Sequence, residues 1–185
     1  MFPKRLLILL PAAFFIFSFA NSAKAEFFSV SAGLPISYTF SNTDTDAPES
    51  DGVTGTMLHV KLPVMVGFGL ETYSVKIKGD GDAKFDATMF DVFYLFPIPI
   101  VNITLGLGIG SSEVICDLGG GSTCSDAYEK ATPTQVYGQF GFPIFGPVDL
   151  HLSYHSVSST MKGKNGNSDL DLGGNMLALG ASFTF

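Results

Sequence analysis

The sequence predicts an all-β fold, an eight-stranded antiparallel up-and-down transmembrane β-barrel, from three observations. Apolar and polar residues alternate with period two in eight segments, the links between those segments alternate short and long, and apolar character is high without any helix-like apolar run in the body of the chain. With 185 residues, 46% of them hydrophobic and 15% charged, the chain is too short for several ordinary domains and too apolar to be disordered. Its net charge of −7 opposes what a phosphate backbone requires, so nucleic acid is not an expected partner.

Residues 1–25 read as a cleaved signal peptide. Lys4 and Arg5 form a basic start, Leu6 to Ala20 is continuously apolar, and Ala23 and Ala25 are the small residues that a signal peptidase reads. Residues 26–185 then form the barrel domain. That exported part keeps seven lysines and no arginine against seventeen acids, a net charge of −10. Export into an oxidising compartment makes Cys116 and Cys124 a disulfide across a short Gly-rich loop. Metal ligation by them would need further ligands at suitable spacing, and no metal or other cofactor is expected.

The first strand places Phe28, Val30, Ala32, Leu34, Ile36, Tyr38 and Phe40 on one face, with Ser29, Ser31, Gly33, Pro35, Ser37 and Thr39 on the other. This length suits a tilted strand that crosses a bilayer. The second sets Thr56, Leu58, Val60, Leu62 and Val64 against Met57, His59, Lys61 and Pro63. The third sets Tyr73, Val75 and Ile77 against Thr72, Ser74, Lys76 and Lys78, and the fourth Phe90, Val92, Tyr94 and Phe96 against Met89, Asp91 and Phe93. The fifth lies in the longest uncharged stretch, Val92 to Ser112, where Pro97, Pro99 and three glycines rule out a spanning helix. There Val101, Ile103, Leu105, Leu107 and Ile109 alternate with Asn102, Thr104 and those glycines. The sixth, seventh and eighth carry Val136 to Phe142, Val148 to Tyr154 and Leu177 to Phe185 in the same way.

Short Pro-containing links fall near 63–69, 97–99 and 143–147, and long polar segments at 41–55, 79–86, 111–133 and 158–170. This is the rhythm of tight periplasmic turns and longer outside loops. In lipid every backbone group must be paired internally, which a closed sheet achieves. The inward parity is then expected to hold Gly, Ser, Thr and charge, since eight strands leave a narrow lumen. A soluble lipocalin-like barrel would reverse that pattern.

The chain ends Gly180-Ala181-Ser182-Phe183-Thr184-Phe185. This resembles the terminal strand of bacterial outer-membrane barrels, in which Gly180, Phe183 and Phe185 would be read by the outer-membrane assembly machinery. The whole pattern is similar to the small OmpX/OmpA-type barrels. The resemblance implies a Gram-negative outer-membrane location, contact with outer-membrane lipid and a monomer.

Three roles follow for the remaining polar residues. His59, Lys61, Lys76, Asp91, Asp149, His151 and His155 are expected on the lumen face, as a paired polar network or a proton-sensitive or ligand-binding site. His151-Leu152-Ser153 resembles the His-x-Ser pair of outer-membrane lipid A deacylases, which implies a hydrolase alternative. Here, however, Tyr154 and His155 follow the serine, and the next acids are Asp169 and Asp171. A third reading is binding or passage of a small apolar ligand through the lumen. Thirteen of the seventeen acids lie in or beside the long segments, as solvated loops open to a surface partner. The leading expectation is a non-enzymatic outer-membrane protein with a structural or surface-interaction role.

Overall fold

The computed structural model describes residues 28–41, 48–79, 83–98, 101–119 and 122–185. The expected signal peptide and the loop acids Asp44, Asp46, Asp80 and Asp82 lie outside the described residues. Eight strands close into one antiparallel barrel, each paired with its chain neighbours and the last with the first. They are β1 (Ser29–Phe40), β2 (Ser50–Lys61), β3 (Val66–Ile77), β4 (Lys84–Pro97), β5 (Asn102–Ile115), β6 (Thr134–Phe145), β7 (Val148–Ser158) and β8 (Gly174–Thr184).

Both barrel ends of the chain lie at the end with the short turns. There the Met65 backbone takes a positive φ of 65° in the β2–β3 turn, and Gly146 takes 56° in the β6–β7 turn. The register is staggered, as a barrel of tilted strands requires. From Ala32 it steps through Leu58, Leu70, Phe90, Ile109 and Thr134 to Ser158 near the loop end. In the other direction it steps from Ala32 through Ala181 and Leu150 to Phe142, at the turn end.

The exterior carries a continuous apolar belt in which Leu107 is 65% and Phe90 63% exposed. Its upper limit is sharp. Leu58, Leu70, Phe90 and Ile109 form one register row, and the next outward row toward the loops is Thr56, Thr72, Thr88 and Ser111. Its lower limit is aromatic, with ring pairs Tyr94–Phe96, Phe140–Phe142 and Phe183–Phe185 at 5.0, 4.6 and 4.9 Å. From Phe90 to Pro97, the end of β4, the strand advances about 23 Å, or about 18 Å of depth at a tilt near 40°. That is bilayer scale.

Two expectations are corrected here. Tyr38 and Phe40 point into the barrel, because a bulge between Pro35 and Ser37 adds one residue and inverts the parity of β1. Tyr73 and Val75 also point inward, and Lys76 is exposed on the exterior, where β3 rises above the belt beside polar neighbours.

The lumen therefore has two halves. Toward the loops it is an apolar plug of Tyr38, Phe40, Tyr73, Val75, Phe85 and Met176, continued by Met161 and Leu172 from the loop after β7. The expected filling by Gly, Ser, Thr and charge does not hold in this half, where large apolar side chains fill the lumen. Cys116 and Cys124 form a disulfide with Cα atoms 5.2 Å apart, and Cys124 is buried in that plug. The helical turn Cys124–Ala127 is docked against the Asn165-Gly166 hairpin, where Lys164 N–H donates to the Ala127 carbonyl at 2.8 Å.

Glycines allow large side chains to fit the turn-end half. One inward row reads Lys61, Gly67, Phe93, Gly106, Tyr137, and the next reads His59, Gly69, Asp91, Gly108, Gln135. A Cβ at Gly106 would overlap the Tyr137 ring, and one at Gly69 the His59 ring. Large and absent side chains alternate around the wall, so each ring folds over its neighbour's bare backbone.

Candidate functional site in the barrel lumen

Glu71 is the centre of the polar half. It sits on β3 facing inward, between the Met57 and Met89 positions of β2 and β4, and is fully buried. His59 Nε2 lies 3.1 Å from Glu71 Oε1, and His155 Nδ1 3.6 Å from Oε2. Gln135 Nε2 donates to Glu71 Oε2 at 2.9 Å and to Asp91 Oδ1 at 2.6 Å. His155 also meets Ser153 Oγ through Nε2 at 2.9 Å and stacks on Tyr137 with ring centroids 4.7 Å apart. Burial without partners is costly for any of these groups, and the network pairs both Glu71 oxygens while leaving His59 Nδ1, Asp91 Oδ2 and Gln135 Oε1 without a hydrogen bond.

Below this cluster a small vestibule opens at the turn end, lined by His59, Lys61, Phe93, Tyr137, Asp149 and His151 among others. Asn102 Nδ2 donates to Asp149 Oδ2 there at 2.7 Å. Of the seven residues expected in a lumen cluster, His59, Lys61, Asp91, Asp149, His151 and His155 are buried inside the barrel, and Lys76 is not. Glu71 was not among those expected. It could have been found by carrying the inward parity of β2 across the short turn at Pro63, which places Glu71 opposite Met57.

The hydrolase pair does not form as expected. Ser153 bonds His155, and Glu71 stands behind His155 in the order of a Ser-His-acid relay. The Ser153 position lies in mid-strand, paired with Ala178 on one side and Gln139 on the other, so its amides belong to ladders and are not free to form an oxyanion hole. Ser153 is 5% and His155 0% exposed.

Comparison with solved structures finds small outer-membrane barrels of the same fold. Neisserial surface protein A is similar to this chain at 16% identity and a TM-score of 0.61, covering 86% of this chain and 97% of its own. The N-terminal β-barrel domain of Pseudomonas aeruginosa OprF is similar at 13% identity and a TM-score of 0.57, covering 88% and 100%.

The chain has the fold of the small outer-membrane barrels.

The outer membrane protein AlkL is a further example, at 10% identity, a TM-score of 0.53 and coverage of 89% and 93%. No family model and no curated sequence matches the chain. In this outer-membrane barrel fold the terminal residues close the sheet. Phe185 N–H donates to the Phe28 carbonyl at 2.8 Å, and the two rings are 6.0 Å apart. Gly180 lies opposite His151, whose ring occupies the space that a Cβ would take.

Proposed function

We propose that this is an integral protein of the bacterial outer membrane, exported through a signal peptide removed after Ala25, with a structural or surface-interaction role and no reaction of its own. The exterior belt carries this reading. Rows of Leu, Ile and Phe stop at a row of Thr and Ser, and an exterior of that kind is stable only against lipid. The apolar plug and the docked loops favour presentation over passage, because the loop-end half is filled by Tyr73, Phe85 and Met176. The acidic loops are the surface a partner would meet. Gly180, Phe183 and Phe185 serve the assembly machinery in this reading, and the barrel acts as a monomer.

Membrane extraction tests it. The folded protein should stay with outer membranes, require detergent for release, and migrate differently on gels before and after boiling. Recovery as a soluble periplasmic monomer would overturn the proposal. The hydrolase alternative predicts a changed lipid A mass on expression that Ser153→Ala abolishes; an unchanged mass is expected.

A further inference from the structure

We propose that the barrel lumen holds one divalent transition-metal ion between His59, Glu71 and Asp91. These residues come from the adjacent strands β2, β3 and β4, and one ligand atom from each lies within 4.8 Å of the other two. They are 7%, 0% and 2% exposed. An ion bound by nitrogen and oxygen at about 2.0 to 2.2 Å sets neighbouring ligands roughly 3 to 3.5 Å apart. His59 Nε2 and Glu71 Oε1 already stand at 3.1 Å, and an Asp91 oxygen within 4.8 Å of both completes the triangle by side-chain adjustment.

Unpartnered atoms point to the same place. Asp91 Oδ2 and Gln135 Oε1 are buried with no hydrogen-bond partner. Gln135 reaches the cluster directly, because its single Nε2 serves both carboxylates. Two buried carboxylates share one amide donor, Gln135 Nε2, and a low-dielectric interior favours neutralising their charge. A doubly charged cation between them supplies that neutralisation and gives the idle Asp91 oxygen a partner. One imidazole with carboxylate oxygens suits zinc or manganese, and the absence of thiolate, with both cysteines in the disulfide, disfavours soft ions. The turn-end vestibule supplies the route, since His59 lines it and also belongs to the cluster. Bound there, the ion cross-links three neighbouring strands at the loop-side edge of the apolar belt.

Zinc is the probe. The detergent-extracted full barrel is stripped with a chelator, dialysed and titrated with Zn²⁺ by calorimetry, with bound metal counted by elemental analysis. One zinc per folded chain is expected, with affinity at least about tenfold weaker in Glu71→Gln and in Asp91→Asn. Folding of each variant is checked by heat-dependent migration. In parallel, the wild-type histidine side chains are followed by ¹⁵N NMR, where zinc should shift His59 Nε2; this readout needs no variant to fold. Substoichiometric zinc, unchanged affinity in both folded variants, or an unmoved His59 resonance would each overturn the proposal and assign any bound metal to the acidic loops.

Discussion

Phe85→Ala removes the central ring of the loop-end plug. Phe85 is 0% exposed, and its ring centroid lies 6.1, 6.4 and 6.3 Å from those of Tyr38, Phe40 and Tyr73. A phenylalanine of this kind buries about 150 to 200 Å², which at about 25 cal/mol per Å² is roughly 4 to 5 kcal/mol, in line with the roughly 3 to 5 kcal/mol typical of Phe→Ala in a core. Relief by collapse is small, because the plug residues hang from a closed wall whose register cannot slide. Urea titration of the folded barrel in detergent, read by heat-dependent gel migration, should show a loss of about 3 to 5 kcal/mol at unchanged slope. A companion variant separates packing from polarity. Tyr73 Oη is buried without a partner, so Tyr73→Phe should be neutral or stabilising by up to about 1 kcal/mol. A Phe85→Ala loss below about 1 kcal/mol would refute the plug as the packed core of the loop-end half.

Gly106→Val puts a branched side chain into the Tyr137 ring, so folded migration should be lost and partly regained in Gly106→Val/Tyr137→Ala. Replacing Cys116 and Cys124 by Ser frees a loop closed over a sequence separation of 8 and should cost about 2.5 kcal/mol in the same urea assay, leaving the barrel intact. The Thr123 backbone N–H and hydroxyl hold the Asp126 carboxyl below its usual range, and Lys162 followed by the Gly163 N–H does the same for Asp169. Folded values that are depressed give stability above the unfolded value that is lost as pH falls through the folded one. The amide resonances of Thr123 and Gly163 should therefore shift only below about pH 4, with the barrel strands unaffected.

Strand number, connection rhythm and the membrane-facing parity were legible because they rest on period-two alternation, which lipid enforces wherever a strand lies in the belt. Alternation carries no sign, however. Tyr73 and Val75 alternate with Ser74 and Lys76 as a lipid-facing strand would, yet above the row of Thr56, Thr72, Thr88 and Ser111 the exterior is wet and the interior apolar, so the pattern inverts. Tyr38 and Phe40 were hidden by a bulge at Pro35, a local backbone event that composition does not report. Glu71 was hidden for the same reason of sign: the residues after it appeared to belong to the outer face. The glycines signalled a crowded lumen, but their pairing with His59, Phe93 and Tyr137 depends on cross-strand register, which no single strand contains.

The belt decides whether the barrel spans a bilayer, and the absence of tryptophan from the chain makes its depth directly measurable. Single Trp substitutions along β5 at Leu105, Leu107, Ile109 and Ser111, in vesicles of lipids brominated at defined depths, report the depth of each position by fluorescence quenching. Quenching by deeply brominated chains should be strong at Leu105 and Leu107, weaker at Ile109 and absent at Ser111. Equal and weak quenching at all four positions would contradict a barrel that spans the bilayer with this exterior.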